Sequence, residues 1–498
     1  MTQVPQTLDS VAPSLHPRLM LALPFVAGLL AVLAIQNPVW TFLAIMVAAV
    51  TFAVAKWPEA STLTVVFILY SNIAAIAVEF HGVPLILSAS FFLLLAIPLF
   101  YHIVMRREKI IVQPTLLLLI LFVMVQLVGT VSALHPDIAS RELLTSLTEG
   151  ALLYFLIINV VRTQQTLRRV IWTLVAAGML MSLAPLYQQM TGQFDNNLGG
   201  FGQVSNAAFA IETGTEIGPV QPRMAGSVGE QNRFAQVLLM LLPLALFRWW
   251  GESTSHWRML AALATGLITG AIILTFSRGA AVGFLVILTA MVALRYIPVQ
   301  RLSLILLFLV VAGIAVPHYG ARIAKLQALW TLVDSENTGQ SGPDGSMKSR
   351  MIEMGAAGLV FLDHPLVGVG PGMFRYHYRE YAEQVGLRVF TKSRQSHSII
   401  PGLAAETGLL GLFLFTAIML ITVRDLVRAH GRWKASRPDQ ANVAASFVLV
   451  VIAYMTTAMF LHLAYVRYFW LMMALASVAS RVGDHDASSA ATAEQEQT

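Results

Sequence analysis

Apolar runs separated by short polar connections fill most of this chain of 498 residues. Runs such as 116–128 and 302–316 contain no charged residue and no amphipathic stripe, so they suit lipid better than one face of a soluble core. Several runs are short, so the pattern predicts an all-α, polytopic transmembrane helical bundle of 12 to 14 spans. The candidate spans are 19–35, 38–55, 60–80, 85–104, 115–134, 147–161, 169–190, 233–250, 258–276, 279–294, 302–319, 398–423, 441–461 and 467–480.

Composition agrees with a single integral membrane domain over 1–498, since 57% of the residues are hydrophobic and 12% are charged. The first apolar run is predicted to be a retained span, because no small-residue cleavage site ends it before Gln36. Two long polar segments interrupt the pattern, at 191–232 and 320–396. The polar end of the chain, 482–498, is predicted to be a disordered cytoplasmic tail.

Basic residues in the short loops predict the orientation in the membrane. The loop with Arg106, Arg107 and Lys109 is typical of one side, whereas the short connections on the other side carry only isolated arginines such as Arg141. Because short basic loops stay in the cytoplasm, both termini are predicted there and segments 191–232 and 320–396 outside. The net charge of +6 then reflects topology and does not indicate a nucleic-acid surface.

This orientation groups Arg223, Arg278 and His397 at one membrane face, although they are far apart in sequence. Arg278 follows Ser277 in a turn so short that its flanking helices are predicted to form a hairpin. One interpretation is an arginine that extends to lipid phosphate at the interface. The other is a guanidinium that binds an anionic ligand, because its paired donors fit phosphate oxygens.

His397 lies where apolar sequence resumes after the second polar segment. Ser396 is predicted to cap the following helix, which puts the imidazole in its first turn. The positive end of that helix favours a neutral ring that can accept a proton. Glu406 lies about two and a half turns further on, so we expect it on the opposite side, as a buried structural or substrate-lining acid.

The second polar segment has its own predicted organisation. Residues 321–334 have the apolar stripe of an interfacial helix, 334–346 are predicted to be a flexible loop, and 350–362 form a helix too short to span. We interpret 321–362 as an outer helical lid that touches the membrane. The glycine-rich segment from Gly368 to Gly372 is predicted to be a turn.

Cysteine chemistry is excluded, because the chain has no cysteine. The predicted outer face has no Asp-x-Asp pair and no His-Glu-x-x-His motif, so no metal or other cofactor is expected.

Four groups of residues together resemble the O-antigen ligase and polymerase superfamily, most closely its lipopolysaccharide O-antigen ligases. They are Arg223, Gly226, Asn232 and Ala235; Ser277 to Ala280; Asp363 to Gly372; and His397, Ser398, Glu406 and Gly408.

The resemblance implies a glycosyltransferase of the bacterial inner membrane with a periplasmic active site and a large, partly helical periplasmic loop. It implies a glycan donor on undecaprenyl diphosphate and, for a ligase, lipid A core oligosaccharide as acceptor. By motif, Arg223 and Arg278 correspond to the arginines that hold the diphosphate and His397 to the catalytic histidine, with no metal. Arg350 and Glu406 are secondary candidates.

Three alternatives stay open at this point, one of them a protein glycosyltransferase of the same superfamily. A polymerase of the same superfamily would use the same three residues to extend the glycan. A secondary transporter is typical of chains with this many spans, although internal repeats and mid-membrane ionisable groups are not evident in the sequence.

Overall fold

A computed structural model of the protein describes residues 57–205, 222–303, 345–385, 396–461 and 466–483. The predicted spans 19–35 and 38–55, nearly all of span 302–319, the predicted interfacial helix 321–334, most of the 334–346 loop and the tail after Gly483 lie outside these residues.

Most of the described chain is helical, in agreement with the predicted all-α class. Two short antiparallel strands, β1 (Gln203–Ser205) and β2 (Arg223–Gly226), are paired so that Ser205 lies opposite Arg223. The helices before β1 are α1 (Pro58–Ser71), α2 (Ile73–His81), α3 (Leu85–Ser90), α4 (Ala96–Phe100), α5 (Pro114–Val131), α6 (Pro136–Thr145), α7 (Leu153–Val160) and α8 (Gln164–Thr191). Those after β2 are α9 (Gln231–Gly251), α10 (Ser255–Leu274), α11 (Arg278–Ala293), α12 (Gly345–Asp363), α13 (Phe374–Gln384), α14 (Ile399–Trp433), α15 (Pro438–Ala458) and α16 (Val466–Ala479).

Several regions of the described chain are long and apolar enough to cross a membrane. Seven helices pass this criterion if the continuous helical segment Pro136–Val160, which contains α6 and α7, is counted as one. The count becomes 8 if α1 and α2, which meet at an angle of 56°, form one broken span. The helices α11 and α16 are apolar but shorter. The bounds of all these membrane-length and shorter apolar helices match the predicted spans within several residues at most ends, because apolar length is a local property of the sequence. The protein is therefore a multi-pass membrane protein, and the total of 12 to 14 spans stays a prediction.

The centre of the bundle is formed by α9, which packs against α10 and α15, while α14 packs against α5 and α15. Nearly every side chain of α9 is buried, including the run from Phe234 to Leu242. A helix that is apolar all round and surrounded by other helices suits this central position. The lipid-exposed leucines lie on outer helices such as α5, where Leu117 and Leu121 are exposed.

The connection around Arg278 differs from the predicted hairpin. Only Thr275, Phe276 and Ser277 separate α10 from α11, but the two helices have different neighbours. The first packs against α8 and α9, whereas α11 packs mainly against α15. Close packing of Gly283 against Leu239 and Thr457 contributes to this divergence, because a β-carbon there would lie 2.7 Å from the Leu239 side chain.

The helix α12 is packed against two other helices. Its buried side chains Ile352, Ala356 and Val360 form a small apolar cluster with Phe374 and Tyr378 of α13. The helix also contacts α14. The described part of the predicted lid is therefore packed onto the helices α13 and α14, and its role as a lid stays a prediction.

Candidate functional site

His397 is hydrogen-bonded to Glu353 of α12. The distance from His397 Nδ1 to Glu353 Oε2 is 2.7 Å. The histidine side chain is 37% exposed, whereas the glutamate side chain is only 1% exposed. A carboxylate accepts hydrogen bonds, so Nδ1 is the donor in this contact, and Nε2 is the other ring nitrogen. The contact orients an accessible imidazole through a buried partner.

The local capping of α14 differs from the prediction. The helix begins at Ile399 with Ser398 as its N-cap residue, so His397 precedes the helix and is not in its first turn. Ser396 donates a hydrogen bond to the Ser398 carbonyl at 3.2 Å and does not cap the helix. The ring is therefore oriented by Glu353, not by its position within a helical turn.

Arg223 is hydrogen-bonded to the connection between α10 and α11, just before Arg278. Its Nε donates to the Thr275 carbonyl at 3.1 Å, and one terminal nitrogen donates to Asn232 Oδ1 at 3.3 Å and to the Phe276 carbonyl at 3.4 Å. Phe276 has a φ of 51°, which is unfavourable for an aromatic residue. Hydrogen bonds to the carbonyls on either side of this strained position stabilise it. Arg223 thus has a defined role in shaping the turn.

The other residues of the first motif support Arg223. Asn232 accepts its hydrogen bond, and Ala235 is completely buried on the same helix. Gly226 has a φ of +57°, and a β-carbon there would lie 2.3 Å from the ring of Phe234. The glycine is therefore required by the close approach of β2 to α9.

Arg278 is exposed at the first residue of α11. Ser277 is the N-cap residue, and its hydroxyl accepts a hydrogen bond from the Ala280 backbone at 3.3 Å. The positive end of the helix dipole and the guanidinium of Arg278 therefore occur at one place on the surface. Both favour an anion, and phosphate oxygens suit backbone N–H groups and guanidinium alike.

Arg350 links this region electrostatically to the histidine. Burial lowers the pKa of its guanidinium, and the charge of Arg278 lowers that pKa further. Glu353 and Glu230 act in the opposite direction and raise it. Since these effects operate over short distances, the charges of Arg278, Arg350 and Glu353 belong to one neighbourhood, and Glu353 is in direct contact with His397.

Glu406 connects two segments of backbone through hydrogen bonds. Its carboxylate accepts hydrogen bonds from the backbone N–H groups of Gly372 and Phe374. Its carbonyl accepts from Gly370 at 3.0 Å. The helix is broken nearby at Gly408, and the N–H groups of Leu409 and Leu410 donate to the carbonyls of Pro365 and Leu366. The glycine-rich turn and Glu406 thus form a structural joint.

A substitution in this joint should destabilise the fold. A β-carbon on Gly368, where φ is +69°, would lie 2.4 Å from the backbone carbon of Glu406. We expect Gly368→Ala to lower the free energy of unfolding by at least about 2 kcal/mol. Thermal unfolding of the purified protein in detergent measures this. The matched control is Gly358→Ala in α12, where nothing lies within 4 Å, and it should leave the melting temperature unchanged or higher. Equal melting temperatures for the two variants would contradict the stabilising role of the close contact between Gly368 and Glu406.

Glu353, the hydrogen-bond partner of His397, is not among the residues that the sequence pattern singled out. It lies 44 residues before His397, so no local pattern connects them. One signal was present: Ile352, Ala356, Ala357 and Val360 are the apolar face of α12, and Glu353 is a charged residue on that face. A buried carboxylate at such a position needs a polar partner, and this requirement points to a site.

No group of three or more metal-ligating side chains occurs among the residues that the structure describes.

Comparison with known proteins adds one finding. Residues 261–416 match the family model described as O-antigen ligase. A search of curated proteins finds no match. The matched region includes Arg278, Arg350, Glu353, His397 and Glu406, but ends short of Arg223 on the amino-terminal side. A ligase or polymerase domain of this kind argues against the transporter alternative. Residues 261–416 are therefore similar to the O-antigen ligase family, and this similarity supports kinship with the O-antigen ligase superfamily.

Proposed function

We propose that this protein is an O-antigen ligase of the bacterial inner membrane. In this proposal it transfers a glycan from undecaprenyl diphosphate to a hydroxyl group of the lipid A core oligosaccharide, at its periplasmic face and without a metal. The observation that carries the proposal is the hydrogen bond between His397 and buried Glu353, in the same neighbourhood as the charges of Arg278 and Arg350.

The proposed reaction is a direct displacement at the anomeric carbon. The acceptor hydroxyl oxygen forms a bond to that carbon as the bond from carbon to the diphosphate oxygen breaks. The hydroxyl proton goes to Nε2 of His397, and the bonding electrons leave with undecaprenyl diphosphate. Attack opposite the leaving group inverts the anomeric configuration. Glu353 stabilises the imidazolium that forms, as a buried carboxylate does for a catalytic histidine.

The leaving diphosphate gains negative charge as the bond breaks, and this charge requires stabilisation. We assign that role to Arg278 together with the amino-terminal backbone N–H groups of α11. Arg350 adds positive charge on the side of the histidine. Arg223 acts chiefly by holding the Thr275–Phe276 carbonyls, and through them the orientation of Arg278.

The decisive experiment is incubation of the purified protein with undecaprenyl-diphosphate glycan in two parallel reactions. One contains lipid A core oligosaccharide, and the other contains only more donor. Glycan attached to the core supports the ligase, whereas longer lipid-linked glycan without attachment supports the polymerase of the same superfamily. Retention of the donor's anomeric configuration in the product would overturn the displacement mechanism.

Lysine substitutions should separate the roles of the two arginines. Arg278→Lys keeps the charge but removes the paired donors, so we expect turnover to fall roughly 10-fold or more with an unchanged melting temperature, because the residue is exposed. Arg223→Lys loses the hydrogen bonds to Thr275 and Phe276, so both turnover and melting temperature should fall. Steady-state transfer assays and thermal unfolding measure these effects. Native turnover in Arg278→Lys would remove the diphosphate role from this residue.

A further inference from the structure

A second polar site lies at the other end of α14 from His397. This helix has 35 residues, so its two ends are separated by a path of about 50 Å. Its last turns, together with the start of α5 and the end of α16, surround a cavity of about 710 Å³. By the charge pattern of the short loops, this end faces the cytoplasm. The size is within the usual range for sites that bind small molecules or headgroups.

Three arginines line this cavity, namely Arg428, Arg432 and Arg481. The only carboxylate among its lining residues within the described chain is Asp425, which already accepts a hydrogen bond from Arg424 at 2.9 Å. Arg428 and Arg432 are four residues apart on one helix, where like charges repel each other. The cavity therefore has an excess of positive charge that a bound anion would neutralise.

Arg481 provides an independent indication. One of its terminal nitrogens donates to the Ile158 carbonyl, but its Nε is buried and has no acceptor among the described residues. Burial, together with the charge of Arg162, lowers the pKa of this guanidinium to about 10. The group stays protonated at neutral pH in an environment that destabilises its charge. A half-buried cation with an unsatisfied buried donor is stabilised by an anionic acceptor.

The cavity is bordered by helices that also expose apolar side chains, as helices in contact with lipid do. The helices α5 and α14, which border the cavity, expose Leu117, Leu121 and Leu420 further along their length. Thr115, Ser477 and Ser480 also line the cavity, but their hydroxyl groups are hydrogen-bonded within the protein. Arginines at the ends of membrane helices match a phosphate group with acyl chains alongside, and basic pockets of this type on the cytoplasmic side bind anionic lipid headgroups.

We infer that the cavity bounded by Arg428, Arg432 and Arg481 binds the phosphate group of an anionic phospholipid of the cytoplasmic leaflet. Inorganic phosphate shares the same chemistry but has no acyl chains to contact the flanking helices. The inference does not depend on the glycosyltransferase proposal, because it concerns the opposite end of the bundle and is tested by binding.

The test is native mass spectrometry of the full-length protein, titrated with phosphatidylglycerol or with phosphatidylcholine. We expect at least about 10-fold tighter binding of phosphatidylglycerol to the native protein, and a loss of about 10-fold or more in Arg428→Gln/Arg432→Gln. The control Arg301→Gln removes one exposed charge outside the cavity and should change binding less than about twofold.

A second measurement uses only the native protein, in case the double variant does not fold. Raising the ionic strength should weaken retention of phosphatidylglycerol, because the exposed part of the site is screened. Equal binding of the two lipids, or undiminished binding in a folded double variant, would overturn the inference. Protection from thermal unfolding by millimolar inorganic phosphate equal to that by phosphatidylglycerol would reject a lipid in favour of a free anion.

Discussion

His397→Asn should lower the rate of glycan transfer by roughly 10²- to 10⁴-fold, the usual contribution of a general base. Asparagine retains an N–H group that can donate to Glu353, but it has no basic nitrogen to accept the hydroxyl proton. Because Glu353 is almost completely buried, this choice keeps a donor at position 397 for its carboxylate. The variant should therefore fold and bind donor almost as the native protein does. Initial rates with saturating donor and acceptor, together with the melting temperature, measure both parts.

His397→Ala serves as the comparison, because it removes the base and the donor to Glu353 together. We expect equally low transfer from it, with a lower melting temperature than that of the asparagine variant. If His397→Asn retained a substantial fraction of native turnover, the histidine would have no role as the base. If it bound donor poorly, the histidine would act in binding instead.

Glu353→Gln should reduce turnover by about 10²-fold or more while leaving the Michaelis constants nearly unchanged. The amide can donate to Nδ1 of His397, which moves the ring proton to Nε2 and blocks the atom proposed to accept the hydroxyl proton. It also removes the negative charge that stabilises the imidazolium. The melting temperature should not fall, because a neutral amide replaces a buried carboxylate of the same shape. The same transfer assay and unfolding measurement apply.

The matched control is Glu383→Gln on α13, where an exposed glutamate pairs with Arg379 at 3.4 Å. Exposed pairs of this kind contribute little, so both turnover and stability should stay native. In the double variant Glu353→Gln/His397→Asn, the loss should be about the same as in His397→Asn alone, because the glutamate acts through the histidine. Fully multiplicative losses would show that Glu353 acts independently of His397.

Much of the candidate site was predictable from local sequence, and the reason is physical. The exposed position of Arg278 follows from a three-residue connection between two apolar runs, and capping by Ser277 follows from its position immediately before the second run. The prediction that Arg223 and Arg278 lie at the same membrane face came from the number of predicted spans between them. In the structure, Arg223 donates to the carbonyls of Thr275 and Phe276, which lie just before Arg278 in the chain. The capping role predicted for Ser396 was wrong by two residues, since helix ends depend on backbone geometry as well as on residue type.

The role of Arg223 shows how tertiary contacts change an interpretation made from residue type. In sequence, an arginine on the outer face is equally suited to a phosphate ligand and to backbone carbonyls. In the structure, Arg223 donates one hydrogen bond to Asn232 and two to the carbonyls of the turn before Arg278. Binding of the diphosphate by Arg223 itself stays a prediction, whereas its support of the turn is a structural fact.

The sequence by itself determined the membrane-spanning helical class and the approximate helix bounds, because apolar length acts through neighbours along the chain. The grouping of Arg223, Arg278 and His397 at one membrane face stays a prediction. The tertiary structure alone decided that Glu353 is the partner of His397, that Arg350 lies within the field of both Arg278 and Glu353, and that Glu406 joins two backbone segments. These contacts connect residues tens of positions apart. They depend on how packed helices place buried charges, which no local pattern encodes.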